Sequence, residues 1–254
     1  MPFIVDLNAD IGESFGRYTC GMDEQVLAYI TSANIACGYH ASDPVVMERT
    51  VRLAAERNVR IGAHPGFPDL MGFGRRAMAM SEDEIRTMVM YQIGALGAFC
   101  RAAGVKLQHV KPHGALYNIA AKDPVTARAI CRAAAEIDPQ LVIMGQSGSC
   151  LVSAAEELGL STACEVFADR ASEPDGTLVA RSRPGAMITD AEKAAERVLQ
   201  MVTDGTVTAA DGSVIRVRAD TICIHGDSPS ALAFAASVRA ALDSAGIECR
   251  SLKK

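Results

Sequence analysis

The chain has 254 residues, and its 25 basic and 30 acidic side chains give a formal net charge of -5. This acidic balance argues against a nucleic-acid partner. Charged residues interrupt the apolar runs well before membrane-spanning length, and the first residues lack the basic and apolar segments of a signal peptide. We therefore expect no membrane association, and the length predicts a single domain over residues 1–254.

The eight cysteines are scattered along the chain, and none forms a C-x-x-C motif. A structural zinc ribbon is therefore not expected. Several cysteines, including Cys37 and Cys223, lie inside apolar runs, where a free thiol behaves as a small hydrophobic side chain. We expect reduced thiols and a cytoplasmic protein.

Short apolar runs alternate with helical patterns along the whole chain. Main strands are predicted at residues 3–8, 32–38, 59–63, 106–111, 140–145, 161–168 and 220–225. The first long helix is predicted to begin at Pro44 behind the capping residue Asp43, and a capping box at residues 81–84 begins the next. Residues 206–218 alternate around an Asp-Gly pair and predict a β-hairpin.

Strands separated by helices predict βαβ units and a mostly parallel sheet that helices cover. Seven or eight such units can close into a barrel, and we predict an α/β fold with a distorted (β/α) barrel of about seven strands. An open doubly wound sheet is the alternative. In a barrel, the carboxyl ends of the strands meet at one rim, which is where active sites form.

All five histidines lie at or beside the ends of predicted strands: His40, His64, His109, His113 and His225. Their spacing matches no metalloprotease-type motif. A single histidine at a strand end is commonly a packing residue, but five imidazoles at one rim are difficult to explain by packing alone. His109 lies within its strand and is expected to be an interior or supporting residue.

The first strand carries a group of polar side chains at or just past its end. Because side chains alternate along a strand, Asp6, Asn8 and Asp10 share one face, and Glu13 follows. These groups could bind a divalent metal or act in acid–base chemistry, and the alternative is a solvated turn. Together with His40 and His64, Asp10 makes a metal site a competitive interpretation.

Residues 109–118 form the most concentrated polar stretch of the chain. Lys111 shares a strand face with His109, and His113 falls just past the strand end. A lysine at such a position could neutralise a phosphate or a carboxylate, or stabilise a developing oxyanion. The alternative for Lys111 is an ion pair with Asp6 or Asp10.

Two long loops follow strand ends and carry arginines. Arg75 and Arg76 lie in a glycine-containing loop that is either a lid that binds anions or simply a solvated segment. Glu165, Asp169 and Arg170 lie at the end of the sixth strand. His225 and Asp227 end the seventh.

The chain contains, in this order, the motifs DLNADIGESFG, NIACGYHASDP, GAHPGFPDLMGFGRR, HVKPHGALYN, EVFADR, DGTLV and HGD. In these motifs it resembles the LamB/YcsF family over essentially its whole length. The resemblance implies a barrel related to the glycoside hydrolase/deacetylase group. It also implies ATP-driven opening of 5-oxo-L-proline to L-glutamate, in a complex with the 5-oxoprolinase subunits B and C.

The implied reaction assigns roles to the residues above, with ATP and Mg²⁺ or another divalent metal as expected cofactors. We expect Asp6, Asp10, His40 and His64 to form the central acid–base or metal cluster. Lys111, His113 and Arg170 would bind phosphate or the substrate carboxylate. Two other functions remain open: a stand-alone metal-dependent amide hydrolase, such as a carbohydrate deacetylase, and a subunit that only binds substrate.

Overall fold

The computed structural model describes residues 3–225 and 231–252, and the side chain of His225 is outside the description. The strands are β1 (Ile4–Ile11), β2 (Ser32–Ala36), β3 (Arg60–His64), β4 (Leu107–Val110), β5 (Val142–Gln146), β6 (Ser161–Phe167), β7 (Thr206–Thr208), β8 (Val214–Arg216), β9 (Thr221–His225) and β10 (Glu248–Cys249). The helices are α1 (Asp23–Val26), α2 (Pro44–Glu56), α3 (Glu82–Ala102), α4 (Gly114–Ala120), α5 (Pro124–Ile137), α6 (Cys150–Glu157), α7 (Ala191–Thr203) and α8 (Ala231–Ser244).

Seven parallel strands close into a barrel in the order β1, β2, β3, β4, β5, β6 and β9. Closure occurs where β9 pairs with β1, in a register that joins Asp6 to Thr221 and Asp10 to His225. The short strand β10 adds to the beginning of β1. The predicted closed barrel is therefore confirmed, and the open doubly wound sheet is wrong.

The first strand shows how the barrel divides polar from apolar side chains. Val5 and Leu7 pack into one apolar cluster, and Ala9 and Ile11 pack into another, both outside the barrel wall. The alternate side chains Asp6 and Asn8 point into the barrel and are also buried. The hydrophobic core thus lies between the strands and the surrounding helices, and the barrel interior is unusually polar.

Local signals fix where the helices begin. The Asp43 carboxylate accepts hydrogen bonds from the backbone N–H groups of Val45 and Val46, and Pro44 occupies the first turn of α2. The capping box of α3 between Ser81 and Glu84 is present in both directions. The predicted hairpin is formed by β7 and β8, which pair antiparallel. In the part of the chain that the structure describes, no helix combines the length and apolarity needed to cross a membrane.

The pairing of β3 with β4 is irregular between Ile61 and Gly62. The His109 ring fills the space beside Gly62, where an added Cβ atom would lie 2.0 Å from Nε2 of that ring. Only glycine fits there, and the close approach lets a large polar side chain enter the barrel interior.

Candidate active site at the carboxyl end of the barrel

Four side chains from separate strand ends meet at the rim: Glu13, His40, His64 and His113. One potential ligand atom from each lies within 4.8 Å of the others. Nε2 of His40 is 3.1 Å from Oε1 of Glu13, and Nδ1 of His113 is 3.5 Å from the same oxygen. The rings of His40 and His113 stack with centroids 3.7 Å apart. Three of the five histidines predicted to share one rim are therefore in mutual contact.

The outer hydrogen bonds of two histidines fix which nitrogens carry protons. His64 Nδ1 lies 2.8 Å from the backbone oxygen of Lys111, and His113 Nε2 lies 2.8 Å from that of Phe73. A carbonyl oxygen only accepts, so both of these nitrogens are N–H donors. In neutral rings, His64 Nε2 and His113 Nδ1 then each carry a lone pair and no proton. These two nitrogens face each other at 3.0 Å.

Burial favours the neutral forms of His40 and His113. Burial, reinforced by the neighbouring His64 ring, holds the pKa of His40 well below its ordinary value. Burial and the neighbouring His40 and His64 rings lower the pKa of His113 in the same way. Lone pairs that converge in a buried site with carboxylates beside them are suited to a cation.

Asp10 joins this cluster to a buried lysine. Its Oδ2 atom is 3.3 Å from His64 Nε2, and its Oδ1 atom is 2.9 Å from Lys111 Nζ. The ammonium of Lys111 also lies 2.7 Å from Oε1 of Glu165 and 3.1 Å from Sγ of Cys223. Burial alone would lower the pKa of Lys111, but the two carboxylates outweigh it and hold that pKa well above its ordinary value. The ion pair with Asp10 expected as an alternative is present, and the one with Asp6 is not.

Asp6 lies deeper in the barrel than Asp10. Four residues along a strand span about 13 Å, so the two carboxylates cannot share one site. The Asp6 carboxylate accepts hydrogen bonds of 2.6 Å from the hydroxyl groups of Thr31, Ser32 and Thr221. Burial raises its pKa, and these hydroxyl groups lower it in part. The structure does not bring Asp6 into the rim cluster.

A chain of hydrogen bonds connects this lower layer to the lysine. Thr221 Oγ1 accepts from Nδ2 of Asn8, and Oδ1 of Asn8 accepts from Lys111 Nζ at 3.1 Å. Asn34 Nδ2 donates to both Asn8 and Asp10, and its own Oδ1 atom accepts from His109 Nε2 at 2.7 Å. The amides thereby orient the charged groups above them. His109 is an interior support, as the sequence predicted.

A cavity of about 430 Å³ opens above this cluster. Asp10, Glu13 and His64 line it. Arg170 and residues 177–181 of the loop after β6 also line it. The hydroxyl of Tyr117, which also lines the cavity, donates to Oε2 of Glu165 at 2.7 Å. Burial raises the pKa of this phenol well above its ordinary value, so the phenol stays protonated.

The loop after β3 covers the histidines. Phe73 contacts the rings of His40 and His113 edge-on, and Arg75 lies 5.0 Å above the Phe73 ring. Arg75 lines the cavity. Arg76 does not line it, because its guanidinium binds the carboxylate of Asp69 within the same loop. The two arginines predicted to act together therefore have different surroundings.

The end of β6 contributes two further charged residues to the rim. Asp169 and Arg170 are both buried, and Arg170 lines the cavity. Its Nη2 atom donates to the backbone oxygen of Val179 at 2.7 Å. His225 ends β9 beside Asp10, as its register shows. The predicted residue Asp227 lies outside the described part of the chain.

Sequence reasoning gave no role to two residues that complete the site. Glu165 is the second carboxylate on Lys111, and Tyr117 binds Glu165. The sequence does contain a signal for Glu165, because it is a charged residue inside an apolar strand. A carboxylate is seldom fully buried unless it is paired, so its position predicts a buried partner. Tyr117 belongs to the polar stretch of residues 109–118, but it lies on a helix beyond the strand end where site residues are expected.

These features define the class of protein: a seven-stranded (β/α) barrel with a carboxylate, imidazole and lysine site at the carboxyl rim. The chain belongs to the LamB/YcsF family, whose model matches residues 5–254.

Named relatives are similar over nearly the whole length. The A subunit of 5-oxoprolinase from Pyrococcus abyssi is 57% identical over 249 residues, which cover 98% of each chain. The A subunit from Bacillus subtilis is 53% identical over 252 residues, covering 99% of this chain and 98% of the relative. The crystal structure of the lactam utilization protein from Thermus thermophilus matches with a TM-score of 0.93 at 49% identity, covering 98% of this chain and 100% of that one.

Proposed function

We propose that this chain is the A subunit of an ATP-dependent 5-oxoprolinase, which opens 5-oxo-L-proline to L-glutamate together with subunits B and C. The names of the relatives support the lactam substrate and the role within a complex. The observation that carries the proposal is one small cavity that is lined both by the Asp10 and His64 acid–base pair and by the Arg170 guanidinium. The eight cysteines, all free thiols, fit a cytoplasmic location.

The chemistry begins with the stability of the lactam. An amide carbonyl resists attack by water, so its carbon must first become more electrophilic. Transfer of the γ-phosphoryl group of ATP to the lactam oxygen does this, with ADP as the leaving group. The cationic side chains of the cavity wall stabilise the charge on the transferring group.

Water then attacks the activated carbon. Asp10 and His64 line the cavity side by side, so a water molecule bound there can lose its proton to this pair. Lys111 orients the Asp10 carboxylate by donating a hydrogen bond to its other oxygen. The C–N bond of the ring then breaks, and the nitrogen takes up a proton to become the amine of glutamate. A second water molecule hydrolyses the acyl phosphate that remains, which gives the side-chain carboxylate of glutamate and releases inorganic phosphate.

The donor set also fits a divalent metal. Glu13, His40, His64 and His113 would hold it, with the Asp10 carboxylate adjacent. Their mixture of imidazole and carboxylate suits zinc or a similar transition metal better than Mg²⁺. When bound, such an ion would polarise a carbonyl or phosphoryl oxygen.

The test is reconstitution. The chain is combined with subunits B and C, and ATP hydrolysis and glutamate formation are measured with and without 5-oxoproline. We expect Asp10→Asn to lower glutamate formation at least 100-fold, since general acid–base catalysis contributes about 10²–10⁴-fold. Asp83→Asn, which changes an exposed carboxylate on α3, is the control and should have no effect. Full activity of Asp10→Asn, or no 5-oxoproline-dependent ATP hydrolysis, would refute the proposal.

The histidine cluster supports a second candidate, a stand-alone metal-dependent amide hydrolase that acts on a carbohydrate amide. This enzyme would not need ATP or partners. Hydrolysis of an acetylated amino sugar by the isolated, metal-loaded chain without ATP would establish this candidate in place of the first.

A further inference from the structure

Three side chains that line the cavity offer it apolar surface: Tyr117, Phe167 and Leu178. They pack together in one cluster, which also contains the buried thiol of Cys223. The rings of Tyr117 and Phe167 meet edge-on, with centroids 5.9 Å apart. We call Tyr117, Phe167 and Leu178 the apolar wall. Its apolar surface has no part in the polar chemistry described above.

The apolar wall adjoins the acid–base group. Nζ of Lys111 lies 5.8 Å from the centroid of the Phe167 ring and 2.9 Å from Oδ1 of Asp10. The hydroxyl of Tyr117 donates to Glu165, which is the second carboxylate beside Lys111. The apolar wall and Asp10 therefore lie against the same ammonium group. A small molecule whose reacting carbon meets Asp10 can contact the wall with its other atoms.

The backbone that carries Leu178 is fixed within the loop after β6. Leu178 forms an antiparallel bridge with Ser172, and the backbone N–H of Val179 donates to the carbonyl of Ala171 at 3.0 Å. The carbonyl of Val179 in turn accepts from Nη2 of Arg170 at 2.7 Å. A side chain held in this way resists displacement by a larger ligand, so it can discriminate between ligands by size.

The part of a lactam that suits such a surface is its methylene groups. In 5-oxoproline, two adjacent methylenes separate the lactam carbonyl from the carbon that bears the carboxylate. Methylenes form no hydrogen bonds, and removing them from water against an apolar surface is favourable. The ring is built from bonds of about 1.5 Å, so its methylenes stay close to the carbonyl carbon that is attacked.

We infer that the apolar wall holds the methylene groups of the lactam ring, and that Leu178 limits the ring to five members. The inference rests on the proposed function, because it names the part of that substrate which the wall binds. Leu178 is the residue to vary. Tyr117 and Phe167 also contact the charged groups, through Glu165 and Lys111, whereas an aliphatic side chain has no polar atom with which to do so.

The test compares two lactams in the complex reconstituted with subunits B and C: 5-oxoproline and its six-membered homologue, 6-oxopiperidine-2-carboxylate. We expect Leu178→Ala to shift the ratio of kcat/KM values toward the larger ring by about 10-fold or more, since one methylene in an apolar pocket is worth about 10–200-fold. KM for 5-oxoproline should rise while kcat stays nearly constant, because the wall binds the substrate and the transition state alike.

Two further variants complete the comparison. Leu178→Phe fills the space and should shift the ratio in the opposite direction, toward the five-membered ring. Leu158→Ala is the matched control, because Leu158 is 42% exposed and lies at the end of α6 outside the cavity. An unchanged ratio in both Leu178 variants would overturn the inference. A rise in KM for ATP in place of that for 5-oxoproline would also overturn it, by assigning the wall to the nucleotide.

A binding measurement separates this inference from the proposed function. The isolated full-length chain is titrated with 5-oxoproline in a calorimeter, which needs no turnover. Weaker binding by Leu178→Ala than by the Leu158 control, in a chain whose reconstituted complex does not open the lactam, would refute the proposed function and support the wall. An active complex whose substrate ratio is the same in all variants would refute the wall and leave the proposed function standing.

Discussion

Nε2 of His64 lies 3.0 Å from Nδ1 of His113, and in neutral rings neither nitrogen carries a proton. Two lone pairs at this distance repel each other unless a cation lies beside them. The cation is either a proton that converts one ring to imidazolium or a metal ion held by the cluster. The outer hydrogen bonds of both rings to backbone carbonyls are the arrangement found for histidines that bind metals.

We predict that the purified protein retains about one equivalent of a transition metal, most readily zinc, in elemental analysis. The change His113→Gln should lower metal affinity by more than about 100-fold, because loss of an outer hydrogen bond alone costs about 10–100-fold. His109→Gln is the matched control, since that ring lies below the cluster and binds Asn34. Equal metal content in both variants would show that a shared proton, and not a metal, satisfies the two nitrogens.

The buried lysine gives a prediction about stability. Lys111→Met would leave the carboxylates of Asp10 and Glu165 buried without their positive partner. Breaking a buried pair on one side costs about 3–5 kcal/mol, so the free energy of unfolding should fall by about that amount in urea denaturation. Lys106→Met alters an exposed lysine of the same segment and should change stability by less than about 0.5 kcal/mol. Unchanged stability of the Lys111 variant would mean that the pair contributes nothing to the fold.

Much of this architecture could be predicted from the sequence, because buried strands and helix caps are local signals. The seven strands, the helix that begins at Pro44 and the gathering of His40, His64 and His113 at one rim all follow from short patterns. The depth of a side chain along the barrel axis could not be predicted in this way. Alternation places Asp6 and Asp10 on the same face but does not say that only Asp10 is level with the histidines.

The partners within the site depend on contacts between distant segments. Lys111 on the end of β4 binds Glu165 on β6, which is two strands away in the barrel. Nothing in either segment specifies that contact, since it depends on closure of the barrel and on the length of the lysine side chain. Arg76 shows the opposite case, because it binds the carboxylate of Asp69, which is only seven residues away in the same loop.

The pKa of His109 leads to a prediction about pH. Burial lowers this pKa from 6.5 to about 3, with a further contribution from Lys111. A histidine that is neutral when folded takes up a proton on unfolding in acid. Its contribution to stability is therefore complete above pH 6.5 and is lost as the pH falls toward 3.

In metal-free protein, we expect the free energy of unfolding to decrease between pH 6.5 and 4, with about 1.4 kcal/mol per pH unit from this one group. His109→Gln should reduce the slope by that amount. His40 and His113 have lowered pKa values as well, so part of the slope will remain. A variant with the same slope as the wild type would show that His109 is protonated in the folded state.

The close contact of Gly62 with His109 gives a matched pair of glycine substitutions. In Gly62→Ala the new Cβ atom would lie 2.0 Å from His109 Nε2, so the ring must leave Asn34, and we expect a loss of about 3 kcal/mol in urea denaturation. Gly94→Ala, on the exposed side of α3, meets no atom within 4 Å and should stabilise the protein by about 0.5–1 kcal/mol. If both variants shifted stability in the same direction, the fit of His109 against the strand would not be the constraint at Gly62.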